Sequence, residues 1–319
     1  MEDISSSSDS KTAGHRREQP VVEKQTLLLR KLHQDEMSAA VELTWQLCSD
    51  PANRSYPLFG NQDEIRAEYS ARLQEQNAAL LGCFQGEHLI GLLCYFFHPG
   101  EHYLQTTAFV IAEDYDTVAS AFVEHLRSSF RGYETYIGIT AENTRAANIL
   151  RSSGYELIEA SLDMRLRRGQ FIHRDSLNHE IVRIDRTNFD QYAGFHKTHF
   201  DDMFWNAERL HNSIDQWSVF ALKTEGEING GLFLSIDADM AEVFGMAFTD
   251  SADEHVASAL LSRALKTVFD ENPGVNRVVF FTDEDENPNH RAALSCGFLC
   301  RSRYRCYLKL ANRAQPANG

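Results

Sequence analysis

The four residues Val118-Ala119-Ser120-Ala121 recur as Val256-Ala257-Ser258-Ala259. The offset is roughly 140 residues, which is the size of a domain and not of a solenoid unit. The apolar positions that follow obey the same shift. Val118, Phe122, Leu126 and Phe130 correspond to Val256, Leu260, Ala264 and Val268, and a spacing of four marks one face of a helix. Two further landmarks keep the order. Gly86-Glu87 followed by Gly91-Leu92 recurs as Gly226-Glu227 followed by Gly231-Leu232, and Gly154-Tyr155 recurs as Gly297-Phe298. The first pair reads as a hairpin turn between apolar runs. The second reads as a left-handed helix stop that opens a strand. Gly-Glu turns and helix-stop glycines are common singly; the weight lies in three landmarks in one order. A doubled domain is the expectation.

The chain has 319 residues, long for one core and natural for two. The pattern predicts matching halves. In the first, strands fall at 27–32, 79–84, 89–97, 104–111, 135–140 and 156–166, with helices at 35–47, 63–74, 117–130 and 144–152. In the second, strands fall at 180–184, 217–223, 231–236, 241–248, 277–282 and 299–310, with helices at 189–198, 205–212, 254–269 and 289–295. Residues 1–25 are polar, with four consecutive serines, and read as a disordered tail. The domains are then 26–168 and 180–311, with a polar linker over 169–179.

Charge narrows the function classes. Lysine and arginine number 31 against 46 acidic residues, a balance that opposes non-specific binding to nucleic acid and suits a cationic partner. No apolar run has the roughly 18 residues of a membrane span, and no apolar signal core opens the chain. The expectation is a cytoplasmic protein, monomer or homodimer, without a membrane or nucleic-acid partner. Six cysteines occur without a C-x-x-C pair and read as reduced packing residues.

The segment Asn143-Thr144-Arg145-Ala146, leading to Leu150 and Gly154-Tyr155, resembles the N-x-x-A-x-x-x-[YL]-x-x-x-G-[FY] segment of the GNAT N-acyltransferase family. A looser copy runs from Asn289 to Phe298, about one residue shorter before the glycine. The order of elements in each half is similar to that fold nearly end to end, and the stretches Met203–Asn206 and Trp217–Gly245 resemble bacterial tandem or single members. The resemblance implies an α/β protein of two tandem GNAT folds. Each would be a mixed, mostly antiparallel sheet with one parallel, splayed strand pair and flanking helices. It further implies acetyl-coenzyme A as cosubstrate. The pantetheine arm would enter the splay along the fourth strand, at Phe244, Met246, Ala247 and Phe248. The pyrophosphate would meet the next helix at His255, Val256, Ala257, Ser258 and Ala259, with Asn289 opening the last helix beside it. Exposed amides and the helix dipole supply the anion site.

The sequence departs from the family turn [QR]-x-x-G-x-[GA]: it has Asp116-x-x-Ala119-x-Ala121 and Glu254-x-x-Ala257-x-Ala259. Acidic residues flank both turns. They suit helix starts, yet would repel a pyrophosphate if they faced it.

Direct attack of an amine on a thioester needs a base and a proton for the departing sulfur. In relatives a fourth-strand glutamate serves as base, and Glu242 matches it; it reads equally as a solvent-facing strand residue. The first half offers only Gln105, Thr106 and Thr107 there. The family's last-helix tyrosine is replaced by Leu150 and by Ala293 or Leu294, which leaves Tyr304 and Tyr307 as candidate acids, or as packing aromatics. His196 and Trp205 are expected to line an acceptor pocket. His196, His199, Asp201 and Asp202 lack the spacing of a metal site, and no metal is expected. The second half is thus the expected catalyst, transferring an acyl group, acetyl in the family pattern, to a small amine or peptide amine. The first half is the expected scaffold. The alternative is a non-catalytic tandem scaffold that senses coenzyme A or binds a partner.

Overall fold

The computed structural model describes residues 26–174, 179–250, 253–284 and 287–311. The expected tail and part of the expected linker lie outside them. The first repeat runs β1 (Leu27–Lys31), α1 (Met37–Cys48), α2 (Gln62–Gln74), β2 (Ala78–Gln85), β3 (His88–His98), β4 (Tyr103–Ile111), α3 (Tyr115–Ser129), β5 (Glu134–Thr140), α4 (Thr144–Ser152) and β6 (Glu156–Arg167). The second runs β7 (Glu180–Ile184), α5 (Phe189–Phe200), α6 (Ala207–Asn212), β8 (Trp217–Thr224), β9 (Glu227–Asp237), β10 (Met240–Phe248), α7 (Glu254–Glu271), β11 (Arg277–Asp283), α8 (Pro288–Ser295) and β12 (Leu299–Lys309).

Local chemistry sets the ends. Asn61, Asn143 and Asn287 cap α2, α4 and α8 by accepting the amides of Glu64, Ala146 and His290. The helix expected from 205 begins only at Ala207, because Asn206 is its cap and accepts from the Arg209 amide at 3.1 Å. Gly86 and Gly226 turn their hairpins at φ 63° and 90°, a region that favours glycine.

The twelve strands among the described residues join one sheet, in the order β1-β2-β3-β4-β5-β12-β6-β11-β10-β9-β8-β7. The final strands are exchanged between the repeats. β6, which closes the first repeat in sequence, pairs antiparallel with β11 of the second. β12, which closes the second, pairs antiparallel with β5 of the first. β6 and β12 also pair with each other, which welds the halves at the centre. The limits 26–168 and 180–311 therefore separate the repeats as sequence, while each sheet half borrows its last strand from the other.

The cores follow the exchange. Leu162, Met164 and Leu166 of β6 are buried with the side chains of α7 and α8. Tyr307 of β12 is buried with Ile137, Ala147 and Leu150 of the first repeat. On the opposite face, α1 and α2 cover the first half of the sheet, and α5 and α6 cover the second. This is layered packing of helices on both faces of a sheet.

Candidate active site

In each half a parallel strand pair opens. β10 and β11 pair only over Met240–Val243 against Arg277–Phe280, although β10 continues to Phe248. β4 and β5 pair only over Tyr103–Gln105 against Glu134–Tyr136. Each fourth strand carries an extra residue where the pair parts: Phe244 in β10 and Thr107 in β4. A bulge of this kind shifts the alternation of faces and bends the strand. Thus Ala241, Val243 and Met246 enter one core, while Phe244 and Ala247 pack on the other side.

The two openings differ in content. In the first half the chain itself occupies the gap. The amide of Tyr56 donates to the Gly138 carbonyl at 2.9 Å, and that of Thr140 donates to the Arg54 carbonyl at 3.4 Å. On the β4 side, the Phe109 amide donates to Oγ of Ser55 at 2.9 Å. Residues 54–56 thus use the backbone groups that a pantetheine arm would need, and this half does not fit the ligand. Its Asp114, at the start of α3, is left-handed with φ 48°, and its Tyr115 is buried under the Arg145 guanidinium.

In the second half, Nδ2 of Asn289 donates to the Met246 carbonyl at 2.8 Å. Among the described residues no segment is inserted between β10 and β11 as residues 54–56 are in the first half, and the cleft reaches the strand pair at Phe244. The phosphate end is different. Asp253 caps α7 and its carboxylate accepts the Val256 amide at 2.9 Å. The Ala257 amide donates to the Asp253 carbonyl at 3.2 Å. Ala257 and Ala259 are buried, and Oγ of Ser258 shares a 2.7 Å hydrogen bond with that of Ser295. Of the positions expected at the pyrophosphate, only His255 and Val256 keep exposed or half-exposed side chains. The carboxylate at the cap does not fit an anion, and no phosphate contact follows from it.

Between the halves lies a cleft of about 820 Å³. Glu242, Val279 and Arg165 stand side by side on its floor, in register across β10, β11 and β6. Residues 56–59 and α2 of the first repeat form the facing wall, and Tyr304 of β12 closes one end. Gln105 and Thr107, the first-half counterparts of Glu242 and Phe244, face the same space. Glu242 is half-buried. Burial pushes its carboxyl up to about 7, against Arg165, which pulls it down, and with Asp163 and Glu159, which add to the rise. Arg165 is committed elsewhere: its guanidinium grips the fully buried Asp163 by two hydrogen bonds. Tyr304 rests edge-on against Tyr56, with centroids 4.5 Å apart, and 5.0 Å from Phe281. Burial holds its phenol well above the usual range.

The sequence-based candidates separate accordingly. Glu242, Tyr304 and Phe244 all line the cleft. Tyr307, expected as an alternative acid, does not: three residues from Tyr304 along a strand, it points to the opposite face and is fully buried in the first core. His196 and Trp205 also stay away from the cleft. His196 is fully buried, with Nε2 2.8 Å from the Trp205 carbonyl and Nδ1 3.3 Å from the Tyr192 hydroxyl. Burial lowers its pKa. It ties the end of α5 to the following loop, and Met203 of that loop reaches the cleft instead. Sequence reasoning missed Tyr56, Glu159, Asp163 and Arg165. The last three alternate along β6 at even spacing, a signal for one polar strand face inside an otherwise apolar run.

No protein-family model and no curated protein sequence matches the chain. Its structure is similar to solved GNAT proteins. A GCN5-related N-acetyltransferase from Sphaerobacter thermophilus aligns with a TM-score of 0.63 at 13% identity, covering 89% of this chain and 95% of that one. A tandem GNAT protein from the clavulanic acid biosynthesis pathway aligns with a TM-score of 0.52 at 14% identity, covering 91% and 100%. The chain has the tandem GNAT fold.

Proposed function

We propose that the protein transfers an acyl group from an acyl-coenzyme A, acetyl-coenzyme A in the simplest case, to an amine that enters the cleft between the halves. The observation that carries this reading is Glu242: a carboxylate beside the opened strand pair, at the floor of a large cleft, with a pKa near neutrality. A general base works best when its pKa lies near the working pH.

The chemistry balances with the groups present. Glu242 removes one proton from the incoming ammonium. The amine lone pair attacks the thioester carbonyl, the carbon–sulfur bond breaks, and the second nitrogen proton ends on the departing sulfur. Tyr304, kept protonated by burial, is the side chain assigned to that last step. The bulged backbone of β10 near Phe244 would supply the donors that an oxyanion needs. Phe244, Met246, Ala247 and Phe248 would flank the acyl arm. The activity is tested by free-thiol release from acetyl-coenzyme A over a panel of amines. Glu242→Gln is expected to lower turnover by about 100-fold or more; a variant as active as the parent would remove the base from this account.

A second reading is a scaffold that binds coenzyme A or a partner without turnover. The Asp253 cap at the phosphate end favours it. Its signature is a heat-stability shift with acetyl-coenzyme A and no thiol release with any amine.

A further inference from the structure

The cleft holds more negative charge than its own cations balance. Three arginines border it, and each is already matched. Arg72 bonds Glu68 at 2.8 Å, Arg277 bonds Glu64 at 3.0 Å, and Arg165 holds Asp163. Glu159, Asp237 and Glu242 also border the cleft, and none of them has a salt bridge among the described residues. Glu159 accepts the Ser161 hydroxyl at 2.7 Å; the residue as a whole is exposed, but its carboxyl is set into the cleft, where burial pushes its pKa up. It lines the same cleft as Glu242 and Tyr304, and its charge adds to the rise of both their pKa values.

Two uncharged groups at the same cleft are only loosely held: Ser302 and Asp163 lie beside the Tyr56 hydroxyl, and Cys94 lies beside that of Thr107. The Tyr56 hydroxyl and Oγ1 of Thr107 are buried without a hydrogen bond of normal geometry, on residues only 7% and 4% exposed. Loosely held buried polar atoms are costly in a finished fold and are expected where a ligand completes the set. The rings of Tyr56, Phe281 and Tyr304 pack into one aromatic wall, and aromatic faces attract ammonium groups.

We infer that the acceptor carries two positive charges: one nitrogen reacts at Glu242 while a second ammonium is held at a subsite made by Glu159 against the Tyr56–Tyr304 wall. Both repeats build that subsite, since Tyr56 comes from the segment seated in the first-half gap and Tyr304 from the exchanged strand. This inference rests on the acyltransferase reading for what happens at Glu242, but not for the presence of the cation subsite.

The test is calorimetric titration of the intact protein, without acyl donor, using 1,4-diaminobutane and butylamine as doubly and singly charged probes. The diamine is expected to bind at least about tenfold more tightly, with an advantage that shrinks as salt is added. Glu159→Gln is expected to cut the advantage below threefold, and Glu159→Asp to preserve it; unchanged melting temperatures show that both variants fold. Equal affinity for the two probes, binding of neither, or an advantage untouched by Glu159→Gln overturns the inference. A diamine preference without thiol release from acetyl-coenzyme A would leave the subsite standing and defeat the transferase reading. Thiol release with monoamines as efficient as with diamines would do the reverse.

Discussion

Glu242 links stability and activity in opposite senses. Its folded pKa is raised above the unfolded value, so the folded protein binds the extra proton more tightly between about 4.5 and about 7. Stability attributable to this group is therefore lost as pH rises through that window. Glu242→Gln should raise the melting temperature at pH 8 and leave it near the parent value at pH 4, with a gain of at most ~3 kcal/mol. For the reaction, kcat/KM should climb with pH along an acid limb whose midpoint lies near 7. A limb near 4.5 would show that the carboxylate is solvated as in water. Glycine gives a second residue-scale contrast. Gly297 has φ 97°, and a Cβ there would collide with the backbone carbonyl of Gln170. Its counterpart Gly154 has φ 79°, but a Cβ would meet only Nζ of Lys309, the end of a flexible side chain. Gly297→Ala should cost more than ~2 kcal/mol and Gly154→Ala about 1, read by denaturant unfolding. The place of Glu242 on the fourth strand was legible, because the apolar run around it reads as a strand. Its environment was not, since Arg165, Asp163 and Glu159 arrive on a strand from the other repeat.

Among elements, the decisive contrast is between the two opened strand pairs. Residues 54–56 use both sides of the first opening, through Gly138, Thr140 and Phe109. In the second, β10 and β11 part after Val243 with no such inserted segment among the described residues. One acyl-coenzyme A per chain is thus the expected stoichiometry in calorimetric titration; two would mean that the inserted segment yields to the ligand. Strand and helix bounds were legible within about two residues from period-2 and period-4 patterns, except that β9 begins at Glu227 and not at the expected 231. The insertion was not legible. Arg54-Ser55-Tyr56 carries no periodicity, and its three anchoring contacts lie more than fifty positions away along the chain.

For the whole molecule, exchange of β6 and β12 makes the halves interdependent. Met164 sits at full burial in the core beneath α7 and α8, yet belongs to the first repeat. The chain should therefore unfold in one calorimetric transition, and Met164→Ala should lower it by about 2–5 kcal/mol without splitting it. Two resolved transitions would contradict the welded sheet. The repeat itself was read correctly as two copies of one fold, from landmarks that lie within each copy. Which copy owns the last strand depends on pairing between distant segments, and both partners present similar apolar alternation.

The exchange also has a consequence for synthesis. A ribosome releases the first repeat long before it makes Leu299–Lys309, the strand that flanks β5. Until then the early half waits with an unfilled edge, and β6 waits for two neighbours that do not yet exist. A premature stop just ahead of Leu299 would consequently injure the part of the protein that was translated first.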